Sequence, residues 1–507
     1  MNFADAILRN PAADEKTALF TQQGDLSHGR LRARALDVAA TLRGAGLRPG
    51  DRVLLAGESS SFWVQCYLGI GLAGGVAVPV AVPVDPAYLA TMVAETGARL
   101  ACLQARWLKR LAGSLTGVET VLCDARVPGL EMAILTADDF VSGAGFSVQE
   151  VGADDLAAIM FTSGSTAEPR GVMVSHGNIL ANTTDIIDAL DIGPEDRVMA
   201  VLPFHYCFGT SLLHTHLLAG ASLVIDNRFL FPEKVLQNMA ASRCTTLAGV
   251  PSTYQILLRR SNLKKMAFPH LRKLQQAGGK LADNFIAELE ESLPGVDLYV
   301  MYGQTEATAR LSCISPRERH AHPGSVGRGL AHTRLEVRDE DGGLAPVGTV
   351  GEIVATGPSI TQGYWRNPEA TARIFGNGGL HTGDLAWMDE DGFLYIVDRA
   401  RDFLKCGGKR VSCRQIEEVA LMFEGMAECA VVGVPDMVLG EAVCLYAVHE
   451  RGAEAADDLR KHCEKNLDRT LHPKRVVFLD DLPRNKSGKP DKQALKKRAA
   501  REIEAEA

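Results

Sequence analysis

Between Leu26 and Cys123 the sequence alternates amphipathic stretches with short apolar runs, and this alternation constrains the fold more than any other feature. Leu26–Leu47 carries apolar residues at helical spacing and ends at Gly44 and Gly46, which act as stop signals. Asp51–Ala56 has a strand pattern, Ser60–Ala73 is helical again, and Val76–Val84, Leu100–Leu103 and Val118–Cys123 are strand-like. Strands that succeed one another through helices lie side by side in a mostly parallel sheet with helices packed on it. An α/β fold is expected. The stretch Cys66–Val84 has no charge and nearly enough length to span a bilayer. Its glycines, two prolines and lack of basic flanks predict a buried helix, turn and strand instead.

At 507 residues the chain is longer than one ordinary domain. With 46% hydrophobic and 23% charged residues it has the composition of a soluble globular protein with a large core. A net charge of −8 argues against general affinity for nucleic acid. The eleven cysteines form no C-x-x-C pair and no metal-ligand spacing, which predicts reduced thiols in a cytoplasmic protein. Charges stand near the N-terminus where a signal peptide needs an apolar block, so neither export nor a membrane span is expected.

Chemistry is expected at Phe161–Val174, FTSGSTAEPRGVMV. Thr162, Ser163, Gly164, Ser165 and Thr166 place small hydroxyl groups around a glycine, so backbone N–H and side-chain O–H groups can close on a phosphate from several sides. The apolar run Leu156–Phe161 predicts a buried strand before it, and Ser175-His176-Gly177-Asn178 predicts the cap of a helix after it: a strand, phosphate loop, helix unit. Such clusters also occur as plain loops. The G-x-x-x-x-G-K-[ST] spacing is absent, because Pro169 follows Gly164 where that pattern needs glycine.

Further segments carry polar groups at strand ends. Pro203–Gly209 sets His205 among Tyr206 and Phe208, either as a partly buried ring or as a pocket wall, and Gly249–Thr253 and Gln276–Gly279 are further wall candidates. In Tyr299–Glu306 the Tyr302 ring can stack on a purine, Thr305 can bond a phosphate oxygen, and Glu306 can hold Mg2+. In His381-Thr382-Gly383-Asp384 the Asp is either a turn residue or an acceptor for two neighbouring hydroxyls. The charge cluster Asp398–Asp402 marks a domain boundary. The basic stretch Leu482–Pro490 is either a solvated surface or the carrier of a working lysine.

Taken in order from Phe161 to Lys489, these segments resemble the motifs of the adenylate-forming superfamily, which contains acyl- and aryl-CoA synthetases, peptide-synthetase adenylation domains and firefly luciferase. The resemblance implies a large N-terminal domain of packed α/β sheets with a small barrel-like part (1–398), a hinge (399–402) and a small mobile α+β C-terminal domain (403–507). It implies that Thr162, Ser163, Gly164, Ser165, Thr166 and Arg170 hold the phosphates of ATP, that Gly278, Gly279, Tyr302 and Gly303 hold the adenine, and that Asp384 and Arg399 hold the ribose. His205 matches a residue proposed to gate the acid pocket, whose wall is then His205, Tyr206, Phe208, Gly209, Val250, Pro251, Ser252, Ala277, Gly278 and Gln304. Arg401 matches the hinge, Gly407 and Gly408 the pantetheine tunnel, Glu306 the Mg2+ ligand, and Lys489 the catalytic lysine, acting with Thr305, Glu306 and His205. Ala167, Arg170, Lys280, Asp398 and Arg401 depart from the residues usual in the family.

The implied reaction converts a carboxylic acid and ATP to an acyl-adenylate and pyrophosphate, then passes the acyl group to a thiol. Because Pro203–Gly209 lacks the Asp that amino-acid-activating relatives use against an α-ammonium, a fatty or aryl acid is expected, with CoA as acceptor. The alternatives are the phosphopantetheine arm of a carrier protein, a luciferase-like monooxygenase, and a nucleotide-binding regulator without catalysis.

Overall fold

The alternation of strand and helix builds two separate, largely parallel sheets. The computed structural model describes residues 1–9, 14–130, 132–162, 170–376, 378–399, 403–406, 409–436, 440–484 and 490–506. Among these, strands form four sheets. The first has the order Ala133–Leu135, Thr120–Cys123, Leu100–Leu103, Arg52–Ala56, Val76–Val80, Leu156–Thr162, Arg170–Ser175, parallel throughout except for its last pair. The second has nine strands; its centre runs Asp297–Tyr302, Lys273–Gln276, Thr246–Gly249, Arg197–Ala200, Ser222–Ile225 and Thr17–Phe20 in parallel, and antiparallel strands close both edges.

Helices Phe3–Leu8, His28–Gly44, Ser61–Leu72, His176–Leu190 and Cys207–Leu218 share one core with side chains of both sheets, including Val53, Leu55 and Ala77 of the first and Val198, Ala200 and Leu223 of the second. In the apolar stretch Cys66–Val84 the predicted helix packs in this core, and a turn leads from it to the buried strand Val76–Val80. A Cβ on Gly69 would stand 2.6 Å from Val38 Cγ1, so the missing side chain is what lets these helices touch. No helix of the described residues is long and apolar enough to cross a membrane, and no disulfide joins any of the eleven cysteines.

Two sequence expectations are corrected. The strand read from Val76 to Val84 stops at Val80, and Pro86–Thr96 is a helix capped by Asp85, whose Oδ1 accepts from Ala87 N at 2.8 Å and Tyr88 N at 3.1 Å. The strand, loop, helix unit contains a second strand: Arg170–Ser175 turns back antiparallel to Leu156–Thr162 before the helix begins. Its residues Gly171-Val172-Met173-Val174 are as strand-forming as the run before the loop, and pairing with that run satisfies their backbone. Ser175 does cap the helix: its Oγ accepts from Asn178 N at 3.1 Å while Asn178 Oδ1 accepts from Ser175 N at 3.0 Å.

The third sheet, Arg334–Arg338, Gly351–Thr356, Leu380–Met388 and Leu394–Arg399, is antiparallel and curls as the expected barrel-like part. The fourth belongs to the small C-terminal α/β part, where Met426–Asp436 and Gly440–His449 form a long hairpin joined by Phe403–Cys406, Lys409–Ser412 and Arg475–Phe478. The helix Cys413–Leu421 packs on that hairpin.

Candidate active site

The ends of the predicted phosphate loop are held by the hairpin. Thr162 and Arg170 face each other in register, and Thr162 Oγ1 donates to the Arg170 carbonyl at 3.5 Å. A connecting segment pairs onto the outer edge of the hairpin: Met173 N donates to Gly363 O at 2.9 Å and Trp365 N to Gly171 O at 2.7 Å. This brings the Tyr364 ring under Arg170, whose guanidinium carbon is 5.4 Å from the ring centroid. The intervening Ser163, Gly164, Ser165 and Thr166, with Ala167, lie outside the described residues.

The strip from Tyr302 to Arg310 is anchored on every side. Tyr302 is the last residue of its strand, and a short 3-10 turn, Thr305–Ala307, follows. Tyr364 Oη donates to Glu306 Oε1 at 2.7 Å, and Thr361 donates to the Glu306 carbonyl through both N (3.0 Å) and Oγ1 (2.9 Å). Burial, reinforced by the Glu306 charge, pushes the Tyr364 phenol pKa up, so it stays a donor. Thr305 Oγ1 donates to Cys207 Sγ at 3.5 Å. Thr308 sits at φ 65°, strained for a β-branched residue, and its Oγ1 donates to Ser359 O at 2.7 Å. Asn178 Nδ2 donates to Pro358 O (2.8 Å) and Ile360 O (2.9 Å), binding that connecting segment to the helix His176–Leu190.

Tyr302 also reaches the third sheet. Its Oη donates to Asp384 Oδ2 at 2.6 Å, and both residues are buried. Asp384 pairs in register with Arg399 across the antiparallel strands. Opposite, Gln276 Nε2 donates to Gly279 O at 2.7 Å and shapes the turn in which Gly278 takes φ 87°.

These walls bound a cleft of about 1160 Å³. Val250, Pro251, Ser252, Gly278, Gly279, Tyr302, Gly303 and Asp384 line one side; from the C-terminal part come Arg414, Glu417, Glu418 and the residues 490–493. Direct contacts span it: Lys280 Nζ to Glu418 Oε1 at 2.7 Å, Arg260 Nη1 to Asp481 Oδ1 at 2.9 Å, and Asn284 Nδ2 to Leu421 O at 2.9 Å. Ser412 Oγ donates to Asp398 Oδ2 at 2.5 Å across the boundary.

Known proteins match both the large α/β part and the small C-terminal part that border this cleft. The family model described as AMP-binding enzyme matches residues 9–365, and that described as AMP-binding enzyme C-terminal domain matches 415–489. The chain belongs to the AMP-binding enzyme family. Within it, the chain is an enzyme of the AMP-forming acid–CoA ligase class. It is 32% identical over 477 residues to a feruloyl-CoA synthase of an Amycolatopsis species, covering 93% of this chain and 94% of that protein. It is 31% identical over 525 aligned positions to a long-chain-fatty-acid–CoA ligase of Salmonella typhimurium, covering 96% and 93%. The crystal structure of ATP-bound MatB from Rhodopseudomonas palustris superimposes with a TM-score of 0.86 at 29% identity, covering 98% of each chain.

In this AMP-binding enzyme the structure brings together Tyr302, Gly303, Gly278, Gly279 and Asp384 around the cleft, and Thr162, Arg170 and Glu306 around the hairpin and Tyr364. Val250, Pro251 and Ser252 line the cleft as expected of a wall. His205, Tyr206, Phe208, Gly209, Ala277 and Gln304 do not line it. Phe208 and Ala277 are buried in the core shared by the two sheets, and a Cβ on Gly209 would stand 2.1 Å from Pro203 O, so that glycine serves close packing. His205 and Tyr206 occupy the turn before the helix Cys207–Leu218, with Tyr206 N donating to Pro203 O at 3.2 Å. Arg401, Gly407, Gly408 and Lys489 lie outside the described residues. The neighbours of the last are placed: Arg484 and Pro490 bridge antiparallel to each other, and Pro490 lines the cleft.

Sequence reading gave no site role to Tyr364 or Asn182 and gave Asn178 only as part of a helix cap. Tyr364 follows a glycine, and its pairing with the hairpin edge is invisible locally. A signal existed in the asparagines, which stand four residues apart on one face of a helix otherwise rich in apolar residues.

Proposed function

We propose that this enzyme activates a carboxylic acid with ATP as an acyl-adenylate and transfers the acyl group to the thiol of CoA. The observation that carries the reading is the shared cleft: Tyr302 and Asp384, joined at 2.6 Å, face it from the large part, and the segment beginning at Pro490, next to Lys489, faces it from the small one.

The residues fit a nucleotide. The Tyr302 ring and the bare backbone at Gly278 and Gly279 suit a flat base, and a buried carboxylate at Asp384 suits two neighbouring ribose hydroxyls because it offers acceptor sites only. Glu306 fits Mg2+, which takes one or two carboxylates beside substrate phosphates. Its carboxylate is steadied by Tyr364. The bound ion would neutralise phosphate charge. In this reading Thr162–Thr166 and Arg170 hold the phosphates, Thr305 bonds one of their oxygens, and Arg399 joins Asp384 at the ribose. The acid lies along Val250–Ser252 toward the turn that carries His205.

To pass on its acyl group a carboxylate would have to expel oxide, a very poor leaving group, whereas an acyl-adenylate expels AMP, a good one. Lys489 draws the two anions together for in-line attack on the α-phosphorus. Rotation of the part after residue 402 about Arg401 then exchanges Lys489 for the Gly407–Gly408 loop and the thiol, so that one cleft serves both steps. The contacts at Lys280, Arg260 and Asn284 support assigning the present arrangement to the adenylate-forming step, with Pro490 turned toward the nucleotide wall. Fatty and aryl acids are the proposed substrates, in keeping with relatives named for feruloyl-CoA and long-chain fatty acids.

The test is an acid panel read by pyrophosphate release, with CoA thioester measured in parallel. Lys489→Ala is expected to keep ATP binding and lose adenylate formation by orders of magnitude. An unchanged first step refutes the role of Lys489, and release that responds to amino acids but to no simple acid refutes the substrate class.

A further inference from the structure

One buried charge in the anchored strip has no part in the reaction as derived. Arg310 stands four residues past Glu306 and is 3% exposed. Its backbone N donates to Asn182 Oδ1 at 3.1 Å and its carbonyl accepts from Asn182 Nδ2 at 2.8 Å, so a single side chain holds it against the helix His176–Leu190. The guanidinium carbon lies 4.1 Å from the centroid of the Phe208 ring. Burial pushes its pKa down, and the ionisable neighbours that act against this are Cys207, Cys313 and Tyr206, two thiols and a phenol. Among the described residues no carboxylate forms an ion pair with it. Nε has no hydrogen-bond partner there, and Nη1 donates only to the adjacent Ala309 carbonyl at a long 3.4 Å.

A guanidinium removed from water without an anion is costly, and a ring face offsets only part of the cost. Five N–H donors in a planar fork match the two oxygens of a carboxylate. Position tells which ligand supplies it. Thr305 and Arg310 both touch the start of the helix Cys207–Leu218, the first through Cys207 Sγ and the second through the Phe208 ring, and this start adjoins the turn at His205 toward which the proposed acid site runs. The nucleotide side is held instead by Tyr302 and Asp384.

We infer that Arg310 determines the acid specificity and that its ligand is a second carboxylate of the substrate, so that the enzyme activates one end of a dicarboxylic acid while the other end rests on the guanidinium. The inference builds on the acid-activation reading and names its substrate class. The activated carboxylate attacks the α-phosphorus and expels pyrophosphate; the distal one stays ionised and is not transferred. The buried Phe208 ring together with one cation selects an acid whose middle is apolar and whose far end is charged.

The experiment compares pyrophosphate release for length-matched pairs, hexanoate with adipate and 4-methylbenzoate with terephthalate, in the wild type and in Arg310→Met, which keeps the length and apolar packing over Phe208. The wild type is expected to favour the diacid in kcat/KM by about 10- to 100-fold, the range of a charge-assisted bond between buried partners. In Arg310→Met the preference is expected to disappear, with diacids losing about 10- to 100-fold and monoacids staying within a few-fold of the wild type. A wild type that favours monoacids overturns the inference, whether or not the variant folds. So does a variant that lowers both members of a pair equally, which would leave Arg310 only a packing role. Activity with monoacids alone sinks the role of Arg310 and spares acid activation; no pyrophosphate release with any acid sinks both.

Discussion

Acidification is predicted to loosen the helical layer between the two large sheets, through three histidines buried there. His214 is fully enclosed, stacks on Tyr67 and places Nε2 3.0 Å from the Tyr67 hydroxyl; burial pushes its pKa down to about 3. His176 and His216 are pushed down to about 4, again chiefly by burial. His176 Nδ1 accepts from Phe3 N at 3.2 Å, so a proton there would compete with the N–H that anchors the first helix. In the unfolded chain each histidine titrates near 6.5. Because the folded values lie lower, the unfolded state binds more protons between about pH 6.5 and 4, and stability is full above that window and falls as pH drops through it. From pH 7 to 5.5 the loss is about 1.2 kcal/mol for each histidine, about 4 kcal/mol for the three, a sizeable part of an ordinary folding free energy of about 5–15 kcal/mol. Buried His28, also lowered, acts in the same direction, whereas exposed His332 beside Asp185, raised, acts in the opposite one. The depressed carboxyls of Asp196 and Asp226 titrate below the window. Over a cooperative unit of about 400 residues this corresponds to about 4–5 °C in Tm. Thermal melts across this pH range, with His214→Phe alongside, provide the assay; the variant should lose about a third of the slope. A flat Tm between pH 7 and 5.5, or a slope untouched by His214→Phe, refutes the reasoning.

Tyr302→Phe keeps the ring and removes the 2.6 Å bond to Asp384; a hydrogen bond to a charged group is worth about 1.5–3 kcal/mol, so KM for ATP should rise by about tenfold or more with kcat little changed. An unchanged KM counts against the placement of the ribose at Asp384. Tyr364→Phe frees Glu306 Oε1 and is expected to raise the Mg2+ concentration needed for half-maximal pyrophosphate release by about fivefold, since one hydrogen bond of about 1 kcal/mol no longer fixes the carboxylate. Magnesium titrations of the two proteins that superimpose would remove Glu306 from the metal site. Lys280→Ala breaks the 2.7 Å bridge to Glu418, and because a pair this exposed is worth at most about 1 kcal/mol, the ratio of pyrophosphate release to thioester formation should shift by about two- to fivefold toward the thioester. A shift toward pyrophosphate release would assign the observed arrangement to the other half-reaction.

Much of the fold was legible because its signals are local. Apolar runs such as Leu100–Leu103 and the glycines ending His28–Gly44 act within a few residues, and both sheets follow from them. Arg170–Ser175 escaped as a strand because its partners are the strand before the loop and a segment almost two hundred residues later, around Gly363. In the site, Tyr302, Glu306 and Asp384 could be named from motifs, yet that Tyr302 meets Asp384 across a sequence separation of 82 is a property of the packed sheets. Arg310 was invisible for a different reason. A basic residue after a polar turn reads as solvated, and only the enclosing Phe208, Cys207 and Asn182 reveal that it is not.

The strip Tyr302–Arg310 serves the nucleotide at its beginning and the proposed acid site at its end, and it hangs from a neighbouring helix directly by Asn182 and, through the segment Pro358–Ile360 that Thr308 bonds, by Asn178. Attempts to graft a new acid preference into this scaffold by exchanging the whole strip, rather than the Arg310 side chain alone, should therefore disturb ATP use as well. A successful transplant has to carry the asparagines along with the strip they suspend.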